Sequence, residues 1–157
     1  MKNKIFAMLC TLAIGASALA QQAAPPAGGN GHAGLIKSVR GTVSLLDPSG
    51  AERPARTGDP VGQVDRIVTA ADSAVSVVLR DGTTMVLGPS SRLDVKEFHF
   101  DATTQDGGML MSLLRGSMRM ITGLIGKTNP DAVRVETQTV TIGIRGTDFI
   151  VETDVQQ

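Results

Sequence analysis

AVSVVLRDGTTMVL occupies residues 74–87. Ala74–Arg80 pairs naturally with Thr83–Leu87 across Asp81-Gly82. An Asp-Gly pair between apolar runs is the strongest short-range hairpin signal, and a type I′ turn with positive φ at both positions is the expected geometry. The same punctuation continues on both sides. Upstream, Arg66–Thr69 reads as a short strand ended by Ala71-Asp72-Ser73, and Thr57-Gly58-Asp59-Pro60 and Asp47-Pro48-Ser49-Gly50 are turns. Val39, Gly41, Val43 and Leu45 alternate with Arg40, Thr42 and Ser44, a period of two. Downstream, Gly88-Pro89-Ser90-Ser91 turns into Leu93–Phe100. Met109–Arg115 and Ser117–Thr122 flank Gly116, which reads as a bulge. Residues 123–131 read as a loop, and Val133–Thr137 and Val140–Glu152 close the chain.

Strands this short, with turn residues every 8–12 positions, predict an all-β domain: a sandwich, a barrel or a solenoid. No segment after the first twenty residues carries a sustained helical stripe. Those first residues predict a cleavable signal peptide. Lys2 and Lys4 precede the apolar run Ile5–Gly15, and Ala18-Leu19-Ala20 supplies a small-x-small site, which places cleavage between Ala20 and Gln21. The run is shorter than the roughly 20 residues of a membrane-spanning helix, and no later run approaches that length. The expected compartment is therefore the periplasm or the exterior.

Residues 21–34 form a Gly/Pro/Ala-rich stretch with little to bury, expected as a disordered linker. The domain is expected over 35–152, with a tail at 153–157. Cys10 would leave with the leader, so no disulfide is expected. Loss of Lys2 and Lys4 turns 15 basic against 15 acidic residues into a small acidic excess. That gives no general electrostatic attraction for nucleic acid. Trp and Tyr are absent, so stacking platforms for sugars or bases are scarce.

Several segments occur in a distinctive order: Gly41-Thr42-Val43, Gly58-Asp59-Pro60-Val61, Asp65-Arg66-Ile67-Val68-Thr69, Leu79-Arg80-Asp81-Gly82-Thr83, Gly88-Pro89-Ser90-Ser91-Arg92-Leu93, Leu114-Arg115-Gly116-Ser117, and Thr141-Ile142-Gly143-Ile144-Arg145-Gly146-Thr147-Asp148-Phe149. This series resembles the FecR domain family, the periplasmic part of bacterial iron-uptake signalling regulators, over roughly residues 35–152. The resemblance implies a β-solenoid-like stack of short strands, with a β-sandwich as the alternative. The regulators that name the family add a cytoplasmic sigma-factor-contacting domain, a transmembrane helix and a second periplasmic domain. None of these is read in this sequence, which ends at Gln157. The resemblance therefore implies fold, compartment and a partner-binding habit, and not the relay itself.

Candidate chemistry is sparse. Gly126-Lys127-Thr128 ends like a phosphate-binding loop, but Ile121 stands where the motif needs glycine and Asn129-Pro130 follows at once, so a surface loop is expected. Glu97, His99 and Asp101 share one face of a strand, the geometry of a Zn²⁺ site or of an ordinary solvated face. Met109/Met111 and Met118/Met120 would suit Cu(I) if exposed and core filling if buried. There is no Gly-x-Ser-x-Gly elbow, and only His32 and His99 are ready bases. Asp59, Asp65, Asp72 and Asp81 sit at turns, where carboxylates cap backbone amides.

The expectation is a non-enzymatic, cofactor-free periplasmic module that binds an envelope protein in signalling or assembly. A small-ligand or metal sensor and an envelope hydrolase are the alternatives. In the closing segment, Val140, Ile142, Ile144 and Ile150 are expected to face the core along one strand. Arg145, Gly146, Thr147 and Asp148 form the candidate motif. Arg145 is expected to pin the last strand through Asp148 or a backbone carbonyl, or else to project into a partner site.

Overall fold

A computed structural model describes residues 31–153. The expected leader with its Ala20/Gln21 cleavage point, most of the linker and most of the tail lie outside the described residues. The strands are β1 (His32–Arg40), β2 (Val43–Leu46), β3 (Glu52–Pro54), β4 (Pro60–Gly62), β5 (Arg66–Thr69), β6 (Ala74–Leu79), β7 (Thr84–Leu87), β8 (Arg92–Phe100), β9 (Gly107–Ile121), β10 (Val133–Glu136), β11 (Thr141–Gly143) and β12 (Asp148–Thr153). β1 begins inside the stretch read as linker, where Ala33 is buried.

The pairing reveals long, creased strands. β7 and β8 both run antiparallel to β9, Thr84–Leu87 against Ile121–Met118 and Arg92–Phe100 against Arg115–Gly107. Residues 84–100 thus form one bent strand alongside β9. β5 and β6 do the same against β8 and β7, and β1 and β2 against β6 and β5. Each crease divides the sheet into two halves. The first holds β4, β1, β6, β7, the end of β9 and β12. The second holds β3, β2, β5, β8, the start of β9, β10 and β11.

Small and hydroxylated residues make the crease. Ser73 Oγ accepts the Thr42 N–H at 2.9 Å. Thr69 Oγ1 donates to Gly88 O at 2.6 Å and accepts the Ser91 N–H at 2.8 Å. Ser91 Oγ accepts the Ser117 N–H at 3.0 Å. Thr69, Ser73 and Ser91 are buried, so these hydroxyls replace ladder bonds that the bend removes. Gly116 sits there at φ 86°, and a side chain on it would collide with Ser91. Side-chain parity changes across it: Met109, Met111 and Leu113 face inward before the crease, Met118 and Met120 after it. All four of these methionines are core.

All-β therefore holds. The solenoid-like stack is not clearly formed, because a solenoid coils through parallel rungs. Here β9 with β10 is the parallel pair, and the other described pairs are antiparallel. The two layers are halves of one curled sheet, not separate sheets of a sandwich.

Two local expectations change. The Asp81-Gly82 hairpin forms, but only Gly82 has positive φ. Gly82 N–H donates to Leu79 O at 3.0 Å and Leu79 N–H to Thr83 O at 2.8 Å, a type I turn with a left-handed glycine. The Asp81 carboxylate fixes it by accepting the Thr83 N–H at 3.0 Å and hydroxyl at 2.7 Å. The stretch read as a loop holds a short helix, α1 (Leu124–Thr128), and a 3-10 turn at Pro130–Ala132. The same turn organises α1: Asp81 O accepts the Leu124 N–H and Thr83 Oγ1 the Gly123 N–H. That partner lies some forty residues away, so no local signal announced it.

Candidate functional site

The outer face of the first half-sheet carries exposed large apolar side chains among its polar ones, where a solvated strand face is normally polar. Cross-strand registers set Ser76, Val86, Arg119 and Ile150 in one row, and Val78, Thr84, Ile121 and Asp148 in the next. Val86 is 41% exposed, Ile121 43% and Ile150 64%. Leu35, opposite Val78, is also exposed. Diagonal neighbours across strands are close enough to touch, so Val86, Ile121 and Ile150 surround one ion pair. Arg119 Nε donates to Asp148 Oδ1 at 2.9 Å and Nη2 to Oδ2 at 2.5 Å. This two-pronged hydrogen bond holds the Asp148 carboxyl below the usual carboxylate range and raises the Arg119 guanidinium.

The closing segment does not run as one strand. β11 ends at Gly143 and β12 begins at Asp148. The interruption reverses parity: Ile144 is buried and Ile142 half-buried, but Val140 and Ile150 are exposed, and Phe149 and Val151 turn inward. The cause is the register against β9, which sets Phe149 opposite Met120 and Val151 opposite Met118. Arg145 is exposed and bonds Asp131, with Nη2 to Oδ1 at 3.0 Å, and not Asp148. Gly146 O accepts the Thr122 hydroxyl at 3.2 Å, and Thr147 O accepts the Thr122 N–H at 2.9 Å. Of the candidate motif, only Asp148 belongs to the apolar face. Sequence reading missed Val86, Ile121 and Arg119, which become neighbours only through the register of three strands.

The second half-sheet carries a charged cluster of its own. Arg66 Nε donates to Asp94 Oδ1 at 2.5 Å and Nη2 to Oδ2 at 2.8 Å, and Lys96 Nζ lies 3.6 Å from Oδ2. The hydrogen bond from Arg66 holds the Asp94 carboxyl below its usual range. A separate open groove of about 400 Å³ is lined by Glu97, His99, Leu110 and Arg134, among others. Asp101 has left this face. Its carboxylate caps a turn by accepting the Thr103 and Thr104 N–H groups at 2.7 and 3.0 Å. Among the described residues no group of three His, Cys, Asp or Glu side chains has metal-holding geometry.

The remaining candidates are structural. Thr128 Oγ1 donates to Leu124 O within α1, which is no phosphate cradle. Asp59 accepts the Arg56 N–H and Asp65 the Gly62 N–H. Asp72 occupies the left-handed region at φ 57°, which Asp tolerates. Among the described residues no helix is long and apolar enough to cross a membrane.

No curated protein matches the sequence. A solved structure described as "Cell surface anchoring domain" is 28% identical over 40% of this chain and 83% of its own length, with a TM-score of 0.39. The family model described as FecR protein matches residues 65–157, more than half of the chain, and the chain belongs to that family.

Proposed function

We propose that this chain is a non-catalytic protein-docking module of the bacterial envelope, working in signalling or assembly, and that it docks through the outer face of the first half-sheet. The observation that carries the reading is the exposed cluster of Val86, Ile121 and Ile150 around the Arg119–Asp148 pair. Contiguous apolar surface with one embedded charge pair is the make-up of a protein interface. Membership of the FecR family supports an envelope signalling context. The leader sequence supports the periplasm as the compartment. Burial of all four paired methionines removes the copper-sensing alternative's donor set.

The test is gel filtration of the chain expressed in a native periplasm. The parent elutes within a larger assembly, and Val86→Asp elutes at the size of the isolated chain with an unchanged circular dichroism spectrum. A Val86→Asp variant that elutes with the parent contradicts the reading.

A further inference from the structure

Among the described residues β12 pairs with β9 alone, on one side, which makes it an edge strand. Its register against β9 runs from Asp148↔Ile121 to Thr153↔Gly116 without a bulge. The Thr122 N–H donates to Thr147 O, which fixes the alternation. Phe149, Val151 and Thr153 exchange bonds with β9, while Asp148, Ile150 and Glu152 turn their N–H and C=O groups away from it. Those outward groups have no backbone partner among the described residues. Beside the strand's end lies an open groove of about 310 Å³, bounded by Val140 and Ile142 on one side and by Val151, Glu152 and Thr153 on the other.

Edge strands are usually blunted by proline, charged side chains or a bulge. β12 reads Asp-Phe-Ile-Val-Glu-Thr, with no proline and no bulge, and its two charges, Asp148 and Glu152, are both acidic, so they repel acidic strands and attract basic ones. The geometry points to strand addition: β12 receives an extended segment of a partner protein whose alternate residues are basic, apolar, basic. This rests on the docking reading above and names how the partner is held. Hydrogen-bonded positions on the added strand would face Asp148, Ile150 and Glu152, whose side chains all lie on the exposed outer face. Lys or Arg opposite Asp148 and Glu152 gives opposite-charge cross-strand pairs, and an apolar residue opposite Ile150 extends the apolar cluster. Asp148 is already tied to Arg119, and the Glu152 carboxylate has no partner among the described residues, so Glu152 is the stronger determinant. A second copy of this chain is disfavoured by the same arithmetic. Antiparallel self-pairing centred on Ile150 sets Asp148 against Glu152 at both ends, acid against acid.

The probe is a capped peptide, Ser-Lys-Thr-Val-Thr-Lys-Ser, with its Glu-for-Lys counterpart as control. With the full chain, the basic peptide slows hydrogen exchange at the Ile150 and Glu152 amides at least about tenfold, and the acidic peptide does not. Ile150→Pro removes one outward N–H, keeps every β9–β12 bond, and lowers affinity at least about tenfold. Glu152→Lys reverses the preference between the two peptides. Unchanged binding by Ile150→Pro, an unreversed preference in Glu152→Lys, or dimerisation of the chain through β12 overturns the proposal. If Val86→Asp disrupts the native assembly and Ile150→Pro does not, docking stands and strand addition fails. If neither does, both fail.

Discussion

Ser91 shows how much a single side chain holds. Its hydroxyl accepts the Ser117 N–H at the crease, and its own N–H donates to Thr69 Oγ1. Ser91→Ala leaves the half-buried Ser117 N–H without its partner, a loss of about 1 kcal/mol by urea denaturation. Gly116→Ala adds left-handed strain and a collision with Ser91, and is expected to cost at least as much. Arg145 behaves differently. Its exposed pairing with Asp131 predicts that Arg145→Ala leaves the urea midpoint unchanged, against the expectation of a stabilising pin. A lowered midpoint would show that the pair matters more than its exposure implies. Asp94 sets an acid sensitivity. Its folded pKa is depressed, chiefly by the hydrogen bond from Arg66. The stabilisation is therefore full above the unfolded Asp value of about 3.9 and is lost as pH falls through the folded value. Asp94→Asn should show a shallower loss of stability than the parent below about pH 4.

At the level of elements, most strands were legible because one side of each is buried and alternation follows directly. β5, β6, β7 and β8 match their expected spans closely. What could not be read locally depends on distant partners. α1 is organised by Asp81 and Thr83 from the β6–β7 turn. The parity of β12 is set by Met118 and Met120 on β9, so Ile150 emerges where a continuous strand would have buried it. The methionines were legible as core or copper donors by type, and burial decides for core. Replacing Met111 and Met120 by Leu conserves apolar volume, so each swap should cost less than about 1.5 kcal/mol by thermal or urea unfolding. A larger loss would mean that the core needs the flexible thioether shape.

Each half-sheet carries an Arg–Asp pair on its outer face, and the halves differ in what surrounds it. One half-sheet is salt-bridged and polar outside, through Arg66, Asp94 and Lys96. The other exposes Val86, Ile121 and Ile150. Composition foretold neither, because the face is assembled from β7, β9 and β12, far apart in sequence. The family resemblance was legible in the ordered turn motifs, and several of them prove to be crease residues: Gly41-Thr42, Gly88 with Ser91, and Gly116-Ser117. Those turn motifs are thus tied to the fold, and the exposed apolar cluster lies largely outside them. The claim that this face is covered in the cell is tested most directly by cysteine labelling, since Cys10 is the chain's sole cysteine and lies in the predicted leader. Val86→Cys reports the apolar face and Thr141→Cys reports the exposed second half-sheet. A maleimide that reaches the periplasm is applied to cells and to purified protein. Val86→Cys is expected to be protected in cells and reactive when purified, while Thr141→Cys reacts in both. Equal labelling of the two cysteines in cells would contradict it.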